Sequence, residues 1–126
     1  MPHLVLAAPI SMDDIRHQFK PQHSTKNDIH VKLAALFQSQ DEASLLVETY
    51  IKEEPIAQRI GLAIKQRNEG EFVLSLHEIG FPRVTDGVHF AITALADWLV
   101  ALHPDANILR HNLRRLNMDS KEIGLE

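Results

Sequence analysis

Residues 29–37 alternate between two sets, with Ile29, Val31, Leu33, Ala35 and Phe37 on one side and His30, Lys32, Ala34 and Leu36 on the other. A period of two is that of a strand with one buried face. The same period returns at 45–52, where Leu45, Val47, Thr49 and Ile51 alternate with Leu46, Glu48, Tyr50 and Lys52, and β-branched residues accumulate as strands prefer. The polar run 38–42 between them reads as a turn, so the two segments should pair as a hairpin. A second hairpin is expected over 58–79, with Ile60, Leu62 and Ile64 on its first arm and Phe72, Leu74 and Leu76 on its second. Gly70 closes the intervening Arg67-Asn68-Glu69-Gly70 turn, supplying the left-handed residue that a type I turn plus bulge requires. Pro82 ends this unit, because proline has no N–H to give to a ladder.

At Thr85 or Asp86 the period changes. Val88, Ile92, Leu95, Leu99 and Leu102 fall at i, i+4, i+7, i+11 and i+14, the stripe of an amphipathic helix that Trp98 widens and His103-Pro104 terminates. Near the N-terminus, 3–10 reads as a short strand. Ser11 then caps a short helix with Asp13 and Asp14 in its first turn and Ile15 and Phe19 facing inward, ending before Pro21. Residues 22–28 are polar and read as a loop. Asp105 is placed to cap a last helix carrying Ile108, Leu109, Leu113 and Leu116.

The expected architecture is therefore α+β: a mainly antiparallel sheet of four to five strands, a long helix packed on one face, a short N-terminal helix and a C-terminal helix. An all-α bundle is the competing reading, with Pro55 opening a helix that carries Ile56, Ile60 and Ile64 and residues 41–52 forming another. Under the sheet reading, Val31, Leu33, Val47, Ile51, Leu62, Ile64, Leu74 and Leu76 lie beneath the long helix. Leu36, Leu46, Tyr50, Ala63, Val73 and Ile79 share the opposite face, which is too apolar to stand bare and calls for the last helix or a second copy of the chain as cover.

Composition narrows the picture. The 126 residues suit one domain, 1–126, with the first few residues and 118–126 flexible. With 44% hydrophobic and 24% charged residues the chain should fold, and no apolar run reaches the roughly 20 residues of a membrane span. It contains no Cys, which removes disulfides, thiolate metal sites and cysteine nucleophiles. The apolar N-terminus lacks a basic leader and is interrupted by Pro9, so a cytoplasmic location is expected. A formal charge of −4, from 17 acidic and 13 basic residues, argues against nucleic acid as a partner unless basic residues gather locally.

Four groups of residues bear on chemistry. Arg83, Thr85 and Gly87 stand where free N–H groups and the helix dipole favour a phosphate or carboxylate, although Asp86 can fill that role. His77 and His89, with Glu78, are candidates for acid/base work if the chain folds the helix back over the sheet. His17, His23 and His30 lie near one loop but lack any spacing that forces convergence on a metal, and His103 and His111 are too far apart to face each other on one helix. Arg110, Arg114 and Arg115 form a basic stretch in the expected C-terminal helix and offer a contact for nucleic acid. There is no Gly-x-Gly-x-x-Gly, no phosphate-binding Gly-x-x-x-x-Gly-Lys loop and no Gly-x-Ser-x-Gly elbow, so neither a cofactor nor a metal is expected. These absences favour a non-catalytic protein-interaction or adaptor domain acting as a homodimer. The alternatives are a binding protein or small enzyme for an anionic metabolite, with its site at 77–89, and nucleic-acid binding through the last helix.

Overall fold

The computed structural model describes residues 1–40, 44–77 and 82–114. Its elements run β1 (His3–Ala7), α1 (Met12–Gln18), β2 (Gln22–Lys26), β3 (Ile29–Gln38), β4 (Ser44–Glu53), β5 (Ile56–Asn68), β6 (Glu71–His77), α2 (Asp86–Leu102) and β7 (Asn107–His111). All seven strands join one antiparallel sheet in the order β2-β3-β4-β5-β6-β1-β7, curled into a half-barrel. The expected sheet of four to five strands with three helices is thus corrected to seven strands and two helices among the described residues, and the all-α alternative falls with it.

Two segments account for the difference. Residues 22–28 form β2 and a two-residue turn, because Asn27 (φ 48°) and Asp28 (φ 65°) both take the left-handed conformation of a type I′ turn. That turn brings Lys26 opposite Ile29 and matches the twist of the paired strands. β2 is polar on both faces, which suits a sheet edge and hides the strand from any hydrophobic pattern. The expected C-terminal helix is instead β7. Its backbone pairs with β1, and Asn112 extends the ladder: its N–H donates to the His3 carbonyl (3.2 Å), its Oδ1 accepts from the His3 N–H (2.8 Å) and its Nδ2 donates to the Met1 carbonyl (2.9 Å). The free edge of β1 takes up a segment whose short apolar spacing fits either period.

Inside the curl lies the core. Leu4, Leu6, Val31, Leu33, Val47, Ile51, Leu62, Ile64, Phe72, Leu74 and Leu76 are buried together with Ile15 of α1 and Val88, Ala91, Ile92, Leu95 and Leu99 of α2. α1 is held by a capping box, in which Asp14 N–H donates to Ser11 Oγ (3.0 Å) and Ser11 N–H donates to an Asp14 carboxylate oxygen (3.2 Å). Phe19, just past α1, meets Trp98 of α2 edge-to-face at 5.5 Å between ring centres. Leu36 belongs to this interior and not to the opposite face: the β3–β4 register shifts between Leu33 and Ala35, so Leu36 pairs with Val47 and packs against the core.

The start of α2 is clamped to the end of β4. Thr85 caps the helix and its hydroxyl donates to the Glu53 carboxylate, which also accepts the Gly87 N–H at 3.2 and 3.3 Å. No helix among the described residues is long and apolar enough to cross a membrane.

Candidate nucleic-acid interface

The strand alternation that builds the core also builds a second surface. On the outer face, away from α2, His23, Lys32, Tyr50 and Arg59 are successive partners across β2, β3, β4 and β5. The adjoining row is Thr25, His30, Lys52 and Ala57. With strands about 4.8 Å apart, each row spans about 15 Å. The two rows hold three cations and no acid, with the half-exposed Tyr50 ring (42%) between Lys32 and Arg59. Glu48 and Glu54 lie just outside: Glu48 is 3.7 Å from Arg59 and Glu54 is 3.5 Å from Lys52. Both are loose, solvent-screened contacts that leave the cations able to accept other anions.

Hollows open along this surface. One of about 440 Å³ is lined by His23, His30, Lys32, Tyr50, Lys52 and Arg59. A second, of about 430 Å³, is lined by Phe37, Leu46, Glu48, Arg59, Gly61 and His77. A third, at the β4–β5 turn and about 460 Å³, takes in Pro55, Gln58, Arg59, Pro82 and Arg83. Arg59 borders all three. Such a surface combines what a flexible polyanion needs: cations for the phosphates and an exposed ring for a base to stack on. Sequence reasoning missed the assembly because Lys32, Tyr50 and Arg59 are scattered in the chain. The polar phase of each strand's alternation carries the signal, and only the register lines it up.

The residues singled out from sequence are placed as follows. His77 lies on the outer face opposite Gly61 and lines the second hollow, whereas His89 is buried in α2 on the inner side, so the structure does not bring the two together. Glu78 lies outside the described residues. Arg83 is exposed, its backbone gripped by Gln58, whose Oε1 accepts from Arg83 N–H (3.1 Å) and whose Nε2 donates to the Arg83 carbonyl (2.9 Å). At Thr85 and Gly87 the place of an external anion is held by the Glu53 carboxylate. Arg110 sits in β7 opposite Val5, Arg114 follows that strand and pairs with Asp86 (2.5 Å), so neither stands on a helix, and Arg115 lies outside the described residues. His17 on α1 bonds the Asp13 carbonyl (2.8 Å), while His23 and His30 share the outer face. Among the described residues no three His, Asp or Glu side chains are grouped to hold a metal ion. His111 is buried in β7 and His103 caps α2.

His89 gives the fold a pH dependence. Its Nδ1 accepts the Arg114 backbone N–H at 2.8 Å, which keeps the ring neutral with the proton on Nε2. Burial, and then the Arg114 charge, hold its pKa below the usual 6.5, with Asp86 opposing them. The unfolded chain therefore binds a proton that the folded chain refuses. Stability from this residue is complete above about pH 6.5 and is lost as pH falls from there toward the lowered folded value. Thermal unfolding followed from pH 7.5 to 5 should show a smaller fall in melting temperature for His89→Gln than for the parent chain. Equal slopes would exclude His89 as the cause.

No protein-family profile matches the chain, and no solved structure matches it. It is 27% identical over 104 residues to a tRNA (guanine-N(7)-)-methyltransferase of Deinococcus radiodurans. This likeness to an enzyme overturns the expectation of a non-catalytic adaptor domain. The match takes in 79% of this chain but only 30% of the relative, so the chain spans about a third of the length of the curated protein it resembles.

Proposed function

We propose that this chain takes hold of RNA on the outer face of its sheet, and that it does so in the service of an RNA-methylating enzyme. The observation that carries the reading is the transverse row His23, Lys32, Tyr50, Arg59, in which an exposed aromatic ring is flanked by cations from the neighbouring strands. The resemblance to a tRNA methyltransferase supplies the kind of polyanion. An open sheet face bearing an exposed ring suits unpaired nucleotides, whose bases can splay out and stack, better than the closed grooves of a duplex. The chain's net charge of −4 does not decide this, because over a Debye length of about 8 Å the bound strand meets the local charges, where Lys32, Lys52 and Arg59 outnumber the neighbouring Glu48 and Glu54.

Fluorescence anisotropy with an unmodified tRNA transcript tests the reading. Binding should weaken with salt at a log–log slope of about −2, as expected for roughly three phosphates of a single strand met by three cations. Tyr50→Ala should lose about tenfold in affinity, the low end of the value of one stacked base, and leave that slope unchanged. Absence of binding at about 50 mM salt, where phosphate contacts are strong, would end the proposal.

A further inference from the structure

Beside the basic rows, the outer face changes character. Ala35, Glu48, Gly61 and His77 form the next transverse row, and Phe37, Leu46, Ala63 and Ser75 the one after it. Phe37 is 56% exposed, which is unusual for so large an apolar ring, and it borders a hollow of about 430 Å³ together with Leu46, Gly61 and His77. Gly61 leaves that floor without a side chain at its centre. The wall toward the basic rows is formed by Glu48, whose side chain is 31% exposed, and by Arg59. An apolar floor, an exposed ring and one carboxylate acceptor together make a slot for a flat heterocycle that presents N–H groups along an edge.

We propose that this hollow is a guanine pocket: a base unstacked from the bound strand lies between Phe37 and the His77 side, with its Watson–Crick edge donating to Glu48. Guanine is the base this acceptor fits, because its ring N–H and its exocyclic amine are adjacent donors that both oxygens of a carboxylate can take. Adenine and cytosine place a single amine beside a ring nitrogen that is itself an acceptor and would face the carboxylate's lone pairs. Uracil offers one donor between two carbonyl oxygens. Arg59, which already stands 3.7 Å from Glu48, turns its guanidinium to the following phosphate when the base takes the carboxylate. The inference rests on the outer face being the RNA surface and adds the identity of one base.

The test uses the full chain and heptanucleotide RNAs of uridine with one central guanine, adenine, cytosine or uridine. The guanine-containing strand should bind roughly tenfold more tightly than the other three, as one bidentate base contact gives. Glu48→Gln should abolish that preference, because the amide nitrogen replaces one acceptor with a donor, while binding of heptauridine holds or improves as a negative charge leaves the surface. A second variant guards against misfolding. A Cβ at Gly61 would meet only the Cβ of His77 at 3.5 Å, an ordinary contact, so Gly61→Ala keeps its melting temperature yet raises the floor and should narrow the guanine preference. Equal binding of all four strands, or a preference that survives Glu48→Gln, overturns the pocket and leaves the RNA surface standing. No binding of any strand at low salt overturns both.

Discussion

Gly87→Ala should cost the fold about 3 kcal/mol or more, the sum expected of an overpacked contact and a lost charge-assisted hydrogen bond. The second residue of α2 runs against the end of β4 so closely that a Cβ there would meet Ile51 Cγ2 at 2.5 Å and would overlap the Glu53 carboxylate. Glu53 can swing aside only by giving up the Thr85 hydroxyl and the Gly87 N–H that it binds. Ile51 is 2% exposed and fixed among core side chains, so it cannot swing at all without opening the interior. A domain of this size is stable by only about 5–15 kcal/mol, so the variant forfeits a large part of it. Chemical denaturation should show a lower midpoint with an unchanged slope. A midpoint within error of the parent would mean that the helix start is not pinned to β4 as described.

Replacing Lys32, Lys52 and Arg59 together with alanine should reduce tRNA affinity about 100-fold at near-physiological salt and flatten the salt dependence toward zero, because these three supply the phosphate contacts. Each side chain is on the solvent face of a strand, so the melting temperature should stay within a few degrees of the parent. Affinity and slope together separate this from a general loss of structure. A triple variant that still binds with the parent's slope would place the RNA elsewhere on the molecule. Arg59→Ala alone should account for the largest single share, given that Arg59 borders all three hollows.

How much of this was legible before folding follows from what each residue must satisfy. The alternation from Ile29 to Leu33 and from Leu45 to Ile51 identifies buried strands because each inward side chain removes apolar area from water, a signal written in composition. α2 is legible for the same reason at period 3.6, and Gly70 reveals its turn through a conformation (φ 73°) that other residues avoid. β2 and β7 follow other demands. β2 hangs on a turn of Asn27 and Asp28, two residues whose polarity also suits a loop, and β7 exists because β1 has a hydrogen-bonding edge to satisfy. Neither need is written in the hydrophobic pattern of the segment itself. The RNA face is legible only in pieces: Lys32, Tyr50 and Arg59 are ordinary surface residues one at a time and become a site through cross-strand register, which also carries Leu36 inward by the shift at Ala35. Attention to the start of α2 fell on a real convergence of groups, but there Glu53 serves the architecture.

The place of β1 has a consequence in time. β1 lies at neither edge of the sheet: its two neighbours, β6 and β7, enter the chain at residues 71–77 and 107–111, about seventy and a hundred positions later. During synthesis β1 emerges well before either of its partners and is thus among the last of these strands to be paired, and the β2–β5 meander can form while β1 waits. Most of the closing cost falls on two long loops that must be brought together late, the condition under which folding is slow and an unpaired strand is exposed longest. Asn112, which fastens Met1 and His3 by three hydrogen bonds, is then the latch that completes the sheet.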